Sequence, residues 1–376
     1  MTATTLTGRD PASGLPLAVT VERERIVRIE AGPRDETHWL SPGLVDIQVN
    51  GYAGHDVNAA DVDAASIGAL ARAVRATGVT TFLPTLITAS EDSLLHGLRT
   101  IAQARAADPL VARMVPGVHI EGPHLSPQDG PRGAHPREHI RPPDIAEFNR
   151  WQAASGGLVH LVTLSPHFDQ APAYTAALTG QGTRVAIGHT DATPEQIRAV
   201  VDAGACLSTH LGNGAAAMLP RHPNFIWTQL ADPRLSASFI ADGFHLPADT
   251  FQAMLRAKGI ERAILISDTA AVGGLAPGVY DTPIGGRVEL TAQGRLGVVD
   301  SPYLAGAAKP LAADVASAIR MAGIPLHQAL TMATRNPARL LGLHAVLEVG
   351  ARADLIRFRW QDGDDALQVD EVWPAA

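Results

Sequence analysis

An α/β barrel of the (β/α)8 type is the fold that three features of this sequence predict. Eight short apolar runs lie between residues 44 and 269, and alanine-rich segments with a helical pattern separate them. Strands that alternate with helices form parallel sheets, and eight such units close into a barrel. Both ends of the chain instead alternate apolar and polar residues. This alternation predicts a small β domain built from the two termini.

The barrel elements follow one another along the chain. Strands are predicted at residues 44–50, 80–86, 114–122, 158–166, 184–190, 206–212, 236–245 and 263–269. Helices are predicted between them, among others at 61–77, 89–106, 194–203 and 247–258. After the eighth strand, the glycine-flanked pattern of residues 285–299 predicts a β-hairpin insertion, and helical patterns follow at 312–323 and 326–343.

The terminal segments carry the alternating pattern at residues 17–31, 353–360 and 367–373. An antiparallel pair of strands with one buried face is expected over the first of these segments. The predicted units are a small β-sandwich domain contributed by residues 1–42 and 343–376, and a catalytic barrel formed by residues 43–342.

The composition is that of a globular protein with a sizeable core. The chain has 376 residues, of which 46% are hydrophobic and 18% charged, with a formal net charge of −8. The sequence contains no tract of five basic residues, which argues against nucleic acid or an anionic membrane as a partner. A single cysteine, Cys206, excludes an internal disulfide and fits a cytoplasmic location. Neither a signal peptide nor a run of about 18 apolar residues is found, so we expect no membrane span.

Polar side chains mark the ends of the predicted strands. In barrels of this type the active site lies at the carboxyl ends of the strands. Six of the eight ends carry a residue that can bind a metal or move a proton. The residues at or near these ends are Gln48, Asn50, Thr85, Glu121, His167, His189, His210, His245 and Asp268.

Glu121, His189 and His210 make a set of two imidazoles and one carboxylate. Three protein ligands of this kind bind a catalytic zinc and leave a fourth position open for water. The metal lowers the pKa of that water to about 7 and polarises a carbonyl group. Asp268 could accept a proton from the water and return it to a leaving group. The alternative for Asp268 is a structural cap on a helix that follows it, because "SDTAA" also has the pattern of a helix start.

The remaining histidines are interpreted as structural. His119 shares a strand face with Glu121 but lies deeper, so we expect it in the core or behind the ligands. His124 and His222 lie in predicted loops and are expected to be solvated. His55 is a weak candidate near the first strand end. No phosphate-binding glycine motif follows any of the predicted strands.

Six motifs carry a resemblance to a known family. They are "PGLVDIQVNG", "GVHIEGPHLSP" with "GAHP", "AIGHTDAT", "STHLGNG", "FIADGFHL" and "ISDTAA". In order and spacing, from about residue 40 to 342, this sequence resembles the N-acetylglucosamine-6-phosphate deacetylases of the amidohydrolase superfamily. The resemblance implies a metal-dependent hydrolase that converts N-acetylglucosamine 6-phosphate, or a close N-acetyl amino sugar phosphate, into acetate and the free amino sugar phosphate.

The resemblance also implies roles for individual residues. Glu121, His189 and His210 match the metal ligands, Asp268 the catalytic acid and base, and His135 a histidine that polarises the acetyl carbonyl. The residues that match substrate-binding positions are Asn213, Gly214, Arg221 and His245. Arg221 corresponds to a phosphate-binding arginine that reaches into the neighbouring subunit of a dimer, so a homodimer is implied.

The first strand ends in "QVN", whereas amidohydrolases with two metals have two histidines there. Gln48 and Asn50 are poor zinc ligands, so the resemblance implies one zinc ion per subunit. The sequence departs from the family in "THLGNGAAAM", in "LPRHPNF", and in a loop before His135 that is two residues longer. All three departures concern substrate recognition. Two alternatives therefore stay open: an amidohydrolase for another N-acyl or cyclic amide, and a binding barrel without chemistry.

Overall fold

The two termini meet in one β domain, as the alternating patterns predict. The computed structural model describes residues 3–282, 285–301 and 303–374. The six strands of this domain are β1 (Thr4–Arg9), β2 (Pro16–Glu22), β3 (Arg25–Ala31), β4 (Trp39–Pro42), β18 (Leu355–Arg359) and β19 (Gln368–Trp373). Hydrogen bonds join them into a single sheet in the order β19-β18-β4-β1-β2-β3. The two halves of the domain connect where β4 pairs with β18.

The barrel lies between these termini, and its eight parallel strands are bonded in sequence order. They are β5 (Leu44–Val49), β8 (Val79–Ile87), β9 (Val118–Glu121), β10 (Val159–Leu164), β11 (Arg184–Ile187), β12 (Leu207–Ser208), β13 (Ser236–Phe239) and β14 (Ala263–Leu265). A short hairpin, β6 (Gly51–Tyr52) and β7 (His55–Asp56), follows the first of them. All eight predicted strands are present, and most end a few residues earlier than predicted.

Helices surround the barrel on the outside. The α-helices are α1 (Ala64–Ala76), α2 (Glu91–Ala107), α3 (Pro109–Met114), α4 (Ile145–Ser155), α5 (Ala171–Gly180), α6 (Pro194–Asp202), α7 (Phe225–Ala231), α8 (Ala248–Lys258), α9 (Leu311–Ala322), α10 (Leu326–Ala333) and α11 (Arg335–Leu340). Short 3-10 turns occupy Arg137–His139 and Ile260–Arg262. In the part of the chain that the structure describes, no helix combines the length and apolarity that a membrane span needs.

The core has two layers because successive side chains of a strand point to opposite faces. On β10, Leu161 packs inside the barrel with Val45, Ile47 and Ile264. Val162, the next residue, packs outward against the helical layer. The barrel interior is therefore filled largely with apolar side chains, and the polar residues of the candidate site lie at or just beyond the carboxyl ends of the strands.

Local signals decide where the helices start. At α6, the Thr193 side chain accepts a hydrogen bond from the backbone of Gln196, whose own side chain bonds back to the backbone of Thr193. Proline at the first helical position, Pro194, completes this start signal. Because the start of α6 is fixed, only residues 188–193 connect it to β11, and His189 lies in this short connection.

The barrel closes between its first and eighth strands through a narrow seam. A single parallel bridge, Val49 to Thr269, links them. The backbone N–H of Asp268 donates to the carbonyl of Gln48 at 3.0 Å. Below this bridge, the buried carboxylate of Asp46 accepts hydrogen bonds from the backbone and the hydroxyl of Ser267, the latter at 2.5 Å. The seam therefore places the end of the eighth strand beside the end of the first.

The predicted hairpin insertion is confirmed and is larger than predicted. It contains β16 (Gly286–Leu290) and β17 (Leu296–Val298), and a third strand, β15 (Gly278–Thr282), pairs with β16. This small sheet follows the eighth barrel strand and lies at the carboxyl-terminal mouth of the barrel, where it lines the cavity described below.

The domain boundaries at residues 42/43 and 342/343 stay a proposal. Strands β4 and β5 lie on either side of the first boundary, and α11 and β18 on either side of the second.

The buried Asp46 makes stability depend on pH in a predictable direction. Burial raises its pKa to about 7, although hydrogen bonds from Ser267 and Gln48 lower it in part. The folded protein therefore holds this proton more tightly than the unfolded chain does. Between about pH 4 and pH 7, the wild-type protein should lose up to a few kcal/mol of unfolding free energy relative to Asp46→Asn, and the difference should then level off.

Urea denaturation of the EDTA-treated proteins, followed by circular dichroism at several pH values, measures this difference. Asp365→Asn is the control, because that side chain is fully exposed and should follow the wild type. The assignment would be contradicted if the unfolding free energy of the wild type, minus that of Asp46→Asn, stayed constant or increased as the pH rises.

Candidate metal and active site

Three side chains from three strand ends converge at the mouth of the barrel. Glu121 is the last residue of β9, while His189 and His210 lie two residues beyond β11 and β12. One Glu121 oxygen, Oε1, lies 2.8 Å from His210 Nε2 and 3.4 Å from His189 Nε2. The two imidazole Nε2 atoms are 3.1 Å apart. All three residues are buried, and they are the one group of potential metal ligands found among the described residues.

The geometry of this group fits a metal ion. Ligand atoms arranged tetrahedrally around zinc lie roughly 3.3 Å apart, as the zinc–ligand bond lengths require. His189 Nδ1 lies 2.8 Å from the carbonyl oxygen of Pro131, which can only accept a hydrogen bond. The proton of a neutral His189 is therefore on Nδ1, and its Nε2 lone pair points toward Glu121 and His210. Two imidazole nitrogens and a carboxylate oxygen suit a divalent cation of the zinc type.

The charge on each of the three groups depends on its neighbours. Burial would raise the pKa of Glu121, but the protonated forms of His189 and His210, which donate from Nε2 and carry positive charge in the metal-free site, hold it well below its ordinary value. Burial would lower the pKa of His210, but the Glu121 carboxylate raises it above its ordinary value. Glu121 is therefore a carboxylate at neutral pH, the form that binds cations.

The backbone is unusual at three of the site residues. His189, His210 and Asp268 have positive φ angles of 47°, 28° and 50°. Non-glycine residues in this region cost about 1–3 kcal/mol each, and such costs occur where the surrounding structure requires an orientation. The turn that follows each strand therefore directs the side chain into the mouth of the barrel.

Asp268 lies at the seam and points into the same site. Asn50 donates a hydrogen bond from its side-chain amide to Asp268 Oδ1 at 2.7 Å. Burial, followed by the charge of Glu121, raises the pKa of Asp268 to about 6. The interpretation of Asp268 as a helix cap is wrong, because residues 271–274 form a turn and no helix starts between residues 269 and 277.

Gln48 approaches the metal-ligand group without joining it. Its side-chain amide donates to Glu121 Oε1 at 3.0 Å. The N–H group of an amide presents positive charge and cannot coordinate a cation. Gln48 therefore orients the carboxylate of Glu121.

His135 completes the site from the loop after β9. Its Nε2 lies 3.2 Å from His189 Nε2, and its Nδ1 lies 2.9 Å from the hydroxyl of Thr88. Burial, and then the proximity of His189, lower the pKa of His135 to about 3. His135 is therefore neutral. Thr88, which directly follows β8, was not among the predicted site residues, because Thr85 was expected at that strand end.

His245 is oriented by a neighbour that the sequence analysis also missed. Its Nδ1 donates to Asp242 Oδ2 at 2.7 Å. The other oxygen of Asp242 accepts the backbone N–H groups of Phe244 and His245. An aspartate three residues before a histidine on a loop could have indicated this pair. The arrangement leaves His245 Nε2 available to a ligand.

A cavity of about 720 Å³ is lined by Glu121, His189, His210, His135 and Asp268. Of the predicted substrate-binding residues, Asn213, Gly214 and His245 line it. Arg221 does not, because it lies on an exposed segment outside the cavity of its own chain. The insertion sheet forms a further part of the lining, with residues such as Leu296.

Two glycines make room for His189. A side chain at Gly214 would place its Cβ 2.6 Å from His189 Nδ1, and one at Gly133 would place it 3.2 Å from His189 Cε1. Both glycines also have positive φ angles. The loops before His135 and after His210 can therefore pack closely on this imidazole ring only because these positions lack side chains.

One of the structural histidines is placed differently from the prediction. His124 was expected to be solvated, but it is fully buried and packs against Trp151 and Tyr174. The prediction was wrong because its loop folds inward over α4 and α5. His119 is buried as expected, and its Nε2 hydrogen-bonds to the Thr163 hydroxyl at 2.8 Å.

The barrel with its buried glutamate and two histidines defines a metal-dependent hydrolase, and comparisons with known proteins agree. The profile described as "Amidohydrolase family" matches residues 39–373. N-acetylglucosamine-6-phosphate deacetylase of Bacillus subtilis is 31% identical to this chain, over 84% of it and 80% of that relative. N-acetylgalactosamine-6-phosphate deacetylase of Escherichia coli is 34% identical, over 90% and 87%.

A solved structure gives the same result. The N-acetyl-D-glucosamine-6-phosphate deacetylase from Mycobacterium smegmatis superposes with a TM-score of 0.87 at 31% identity, covering 99% of this chain and 98% of that one. This chain belongs to the amidohydrolase family and, within it, to the family of the N-acetylglucosamine-6-phosphate deacetylases.

The geometry predicts that Glu121 is required for metal binding. We expect the wild-type protein to retain a divalent metal after dialysis, and Glu121→Gln to bind it at least about 10-fold more weakly, because an amide is a poor ligand for zinc. Metal titration by isothermal calorimetry, together with elemental analysis, measures both. Glu195→Gln on the exposed start of α6 is the control. Equal metal affinity in Glu121→Gln would show that the metal lies elsewhere.

Proposed function

We propose that this enzyme hydrolyses the acetamido group of an N-acetylhexosamine 6-phosphate and releases acetate and the amino sugar phosphate. The observation that carries the proposal is the convergence of Glu121, His189 and His210 with Asp268 and His135 in one cavity. The relatives support the sugar phosphate as substrate class, because their names state deacetylation of N-acetylglucosamine or N-acetylgalactosamine 6-phosphate.

We propose one zinc ion per subunit, held by Glu121, His189 and His210. A metal at this position supplies Lewis acidity, which acidifies a water molecule and polarises an amide carbonyl. The amide N–H of Gln48 points at Glu121, and that of Asn50 points at Asp268. An amide N–H group carries partial positive charge and does not coordinate a cation, so these two donors support a single metal.

Asp268 is proposed to move the proton in both halves of the reaction. As the attacking water forms its new C–O bond, Asp268 accepts one of its protons. When the C–N bond breaks, Asp268 returns that proton to the leaving nitrogen, so that water and amide give carboxylic acid and amine in balance. The Asn50 hydrogen bond fixes one oxygen of Asp268, which leaves the other free for the transfer.

His135 is proposed to donate a hydrogen bond to the acetyl oxygen as negative charge develops there. The ring is neutral and buried, so its N–H group can act as a fixed dipole in a site shielded from water. A donor placed in this way contributes about 2.7–4 kcal/mol of transition-state stabilisation in other hydrolases.

The sugar and its phosphate are proposed to contact the rim formed by Asn213, Gly214 and His245, all of which line the cavity. The Nδ1–H group of His245 is held by Asp242, so its Nε2 can accept a hydrogen bond from a hydroxyl group of the sugar. The relatives include enzymes for both the gluco and the galacto sugar, which differ at C4, so both are candidate substrates.

The test is acetate release by the zinc-loaded enzyme from N-acetylglucosamine 6-phosphate, N-acetylgalactosamine 6-phosphate and the two unphosphorylated sugars. We expect release from at least one 6-phosphate and at least about 100-fold lower kcat/KM for its unphosphorylated form. Asp268→Asn should lower kcat by roughly 10²–10⁴-fold, because it cannot move the proton.

Elemental analysis of Asp268→Asn shows whether its metal is retained. No release from any sugar by a zinc-loaded enzyme would refute the proposed substrate and direct the search to other N-acyl or cyclic amides.

We propose that the protein is a homodimer in which Arg221 binds the phosphate in the partner subunit's cavity. Arg221 is exposed and lies outside its own cavity. Two apolar side chains on the same segment are also exposed, Met218 at 87% and Trp227 at 54%. An exposed apolar surface around a cation suits an interface between two copies. We also propose a cytoplasmic location, supported by the single free Cys206.

Two variants test the dimer proposal. Arg221→Ala should raise KM for the 6-phosphate substrate by roughly 10- to 100-fold and leave kcat and metal content nearly unchanged, because it removes a charged hydrogen bond remote from the reacting bond. Trp227→Glu should shift the mass measured by light scattering from a dimer to a monomer. A wild-type protein that is monomeric at assay concentration would refute both statements. Arg198→Ala on exposed α6 is the matched control.

A further inference from the structure

The hydroxyl of Thr88 lies directly behind His135. Thr88 is the first residue after β8, and it is 1% exposed. Its Oγ1 lies 2.9 Å from His135 Nδ1 and 3.5 Å from the carbonyl oxygen of Glu121. A hydroxyl group has one proton, so it can donate to only one of these two acceptors. If the hydroxyl donates to His135 Nδ1, the proton of a neutral His135 ring must be on Nε2. If it donates to the Glu121 carbonyl, His135 Nδ1 can carry the proton instead.

Neighbouring groups determine the answer. A His189 ring that offers its Nε2 lone pair to a metal carries its proton on Nδ1, where the Pro131 carbonyl accepts it at 2.8 Å. His135 Nε2 lies 3.2 Å from that His189 Nε2. In the metal-free site, a lone pair on His135 Nε2 would face the His189 lone pair at this distance and the two would repel each other, so the proton of a neutral His135 is on Nε2. His135 Nδ1 is then an acceptor, and the Thr88 hydroxyl donates to it.

The backbone is shaped to admit this hydroxyl. Gly122 follows Glu121 and has a φ angle of 91°. A Cβ at Gly122 would lie 2.2 Å from Thr88 Oγ1. Any side chain at position 122 would therefore displace the hydroxyl from His135. Glycine at position 122 is therefore what leaves room for the Thr88 hydroxyl beside His135.

We propose that Thr88 is a positioning residue that holds His135 in the tautomer with its proton on Nε2, so that this N–H would be available to the acetyl oxygen of the substrate once a cation holds the His189 lone pair. The proposal rests on the proposed function, because Thr88 would act on the reaction only through the role proposed for His135. With the proton on Nδ1 instead, a lone pair would face the developing negative charge, and the contribution of His135 to the reaction would be lost.

Three variants test the proposal by activity. Thr88→Val keeps the shape of the side chain but removes the donor, and Thr88→Ser keeps the donor. Thr88→Val should lower kcat by roughly 10- to 100-fold with KM changed less than about twofold, whereas Thr88→Ser should stay within about threefold of the wild type. Thr175→Val is the matched control, because Thr175 is equally buried, lies on α5, and its hydroxyl has no hydrogen-bond partner among the described residues.

The tautomer can also be measured without turnover. In protein labelled with ¹⁵N in its histidine rings, metal-free and zinc-loaded, long-range ¹H–¹⁵N correlation identifies the nitrogen that bears the proton, and His135→Asn assigns the signal. We expect the proton on Nε2 in the wild type and in Thr88→Ser, and a shift toward Nδ1 in Thr88→Val. Melting temperature and zinc content show whether each variant folds.

The outcomes separate this inference from the proposed function. A wild-type ring protonated on Nδ1, or equal losses of kcat in Thr88→Val and Thr88→Ser, would overturn the role of Thr88. A wild type that releases no acetate but has the proton on Nε2 would refute the substrate and retain the tautomer. A Thr88→Val enzyme with wild-type kcat would also overturn the inference.

Discussion

The burial of three metal-ligating groups at one point is the constraint on which the rest of the structure depends. Glu121, His189 and His210 bring a carboxylate and two imidazoles within hydrogen-bonding distance of one another, away from water. Such groups cost free energy when buried unless opposite charge or hydrogen bonds satisfy them. A divalent cation satisfies them, and the ends of barrel strands hold the ligands rigidly enough to bind it.

Around this group, hydrogen bonds fix each side chain before any substrate arrives. Gln48 donates to Glu121, Asn50 donates to Asp268, and Asp242 accepts from a rim histidine. A side chain held in this way has already lost its rotational freedom, so less free energy is needed to order it during the reaction. The narrow seam of the barrel also helps to fix the site, because it places the ends of the first and eighth strands side by side.

Much of the fold and part of the site could be predicted from the sequence, because both depend on local patterns. The alternation of apolar runs with helical segments identified all eight strands. Polar residues at most of the strand ends pointed to Glu121, His189 and His210, which the structure brings together, and the family resemblance added His135. These predictions succeed because the distance of a residue from the end of its own strand can be estimated from the nearby sequence alone.

The tertiary structure alone decided the relations between segments. The positive φ angles of His189 and His210, the contact of His135 with Thr88 and the inward position of His124 all depend on groups distant in the sequence. Thr88 and His135, 47 residues apart, meet because two loops pack against each other. The sequence by itself determined which groups are available at the strand ends. Strand register and loop packing decided which of them touch, because a hydrogen bond needs placement to within a few tenths of an ångström.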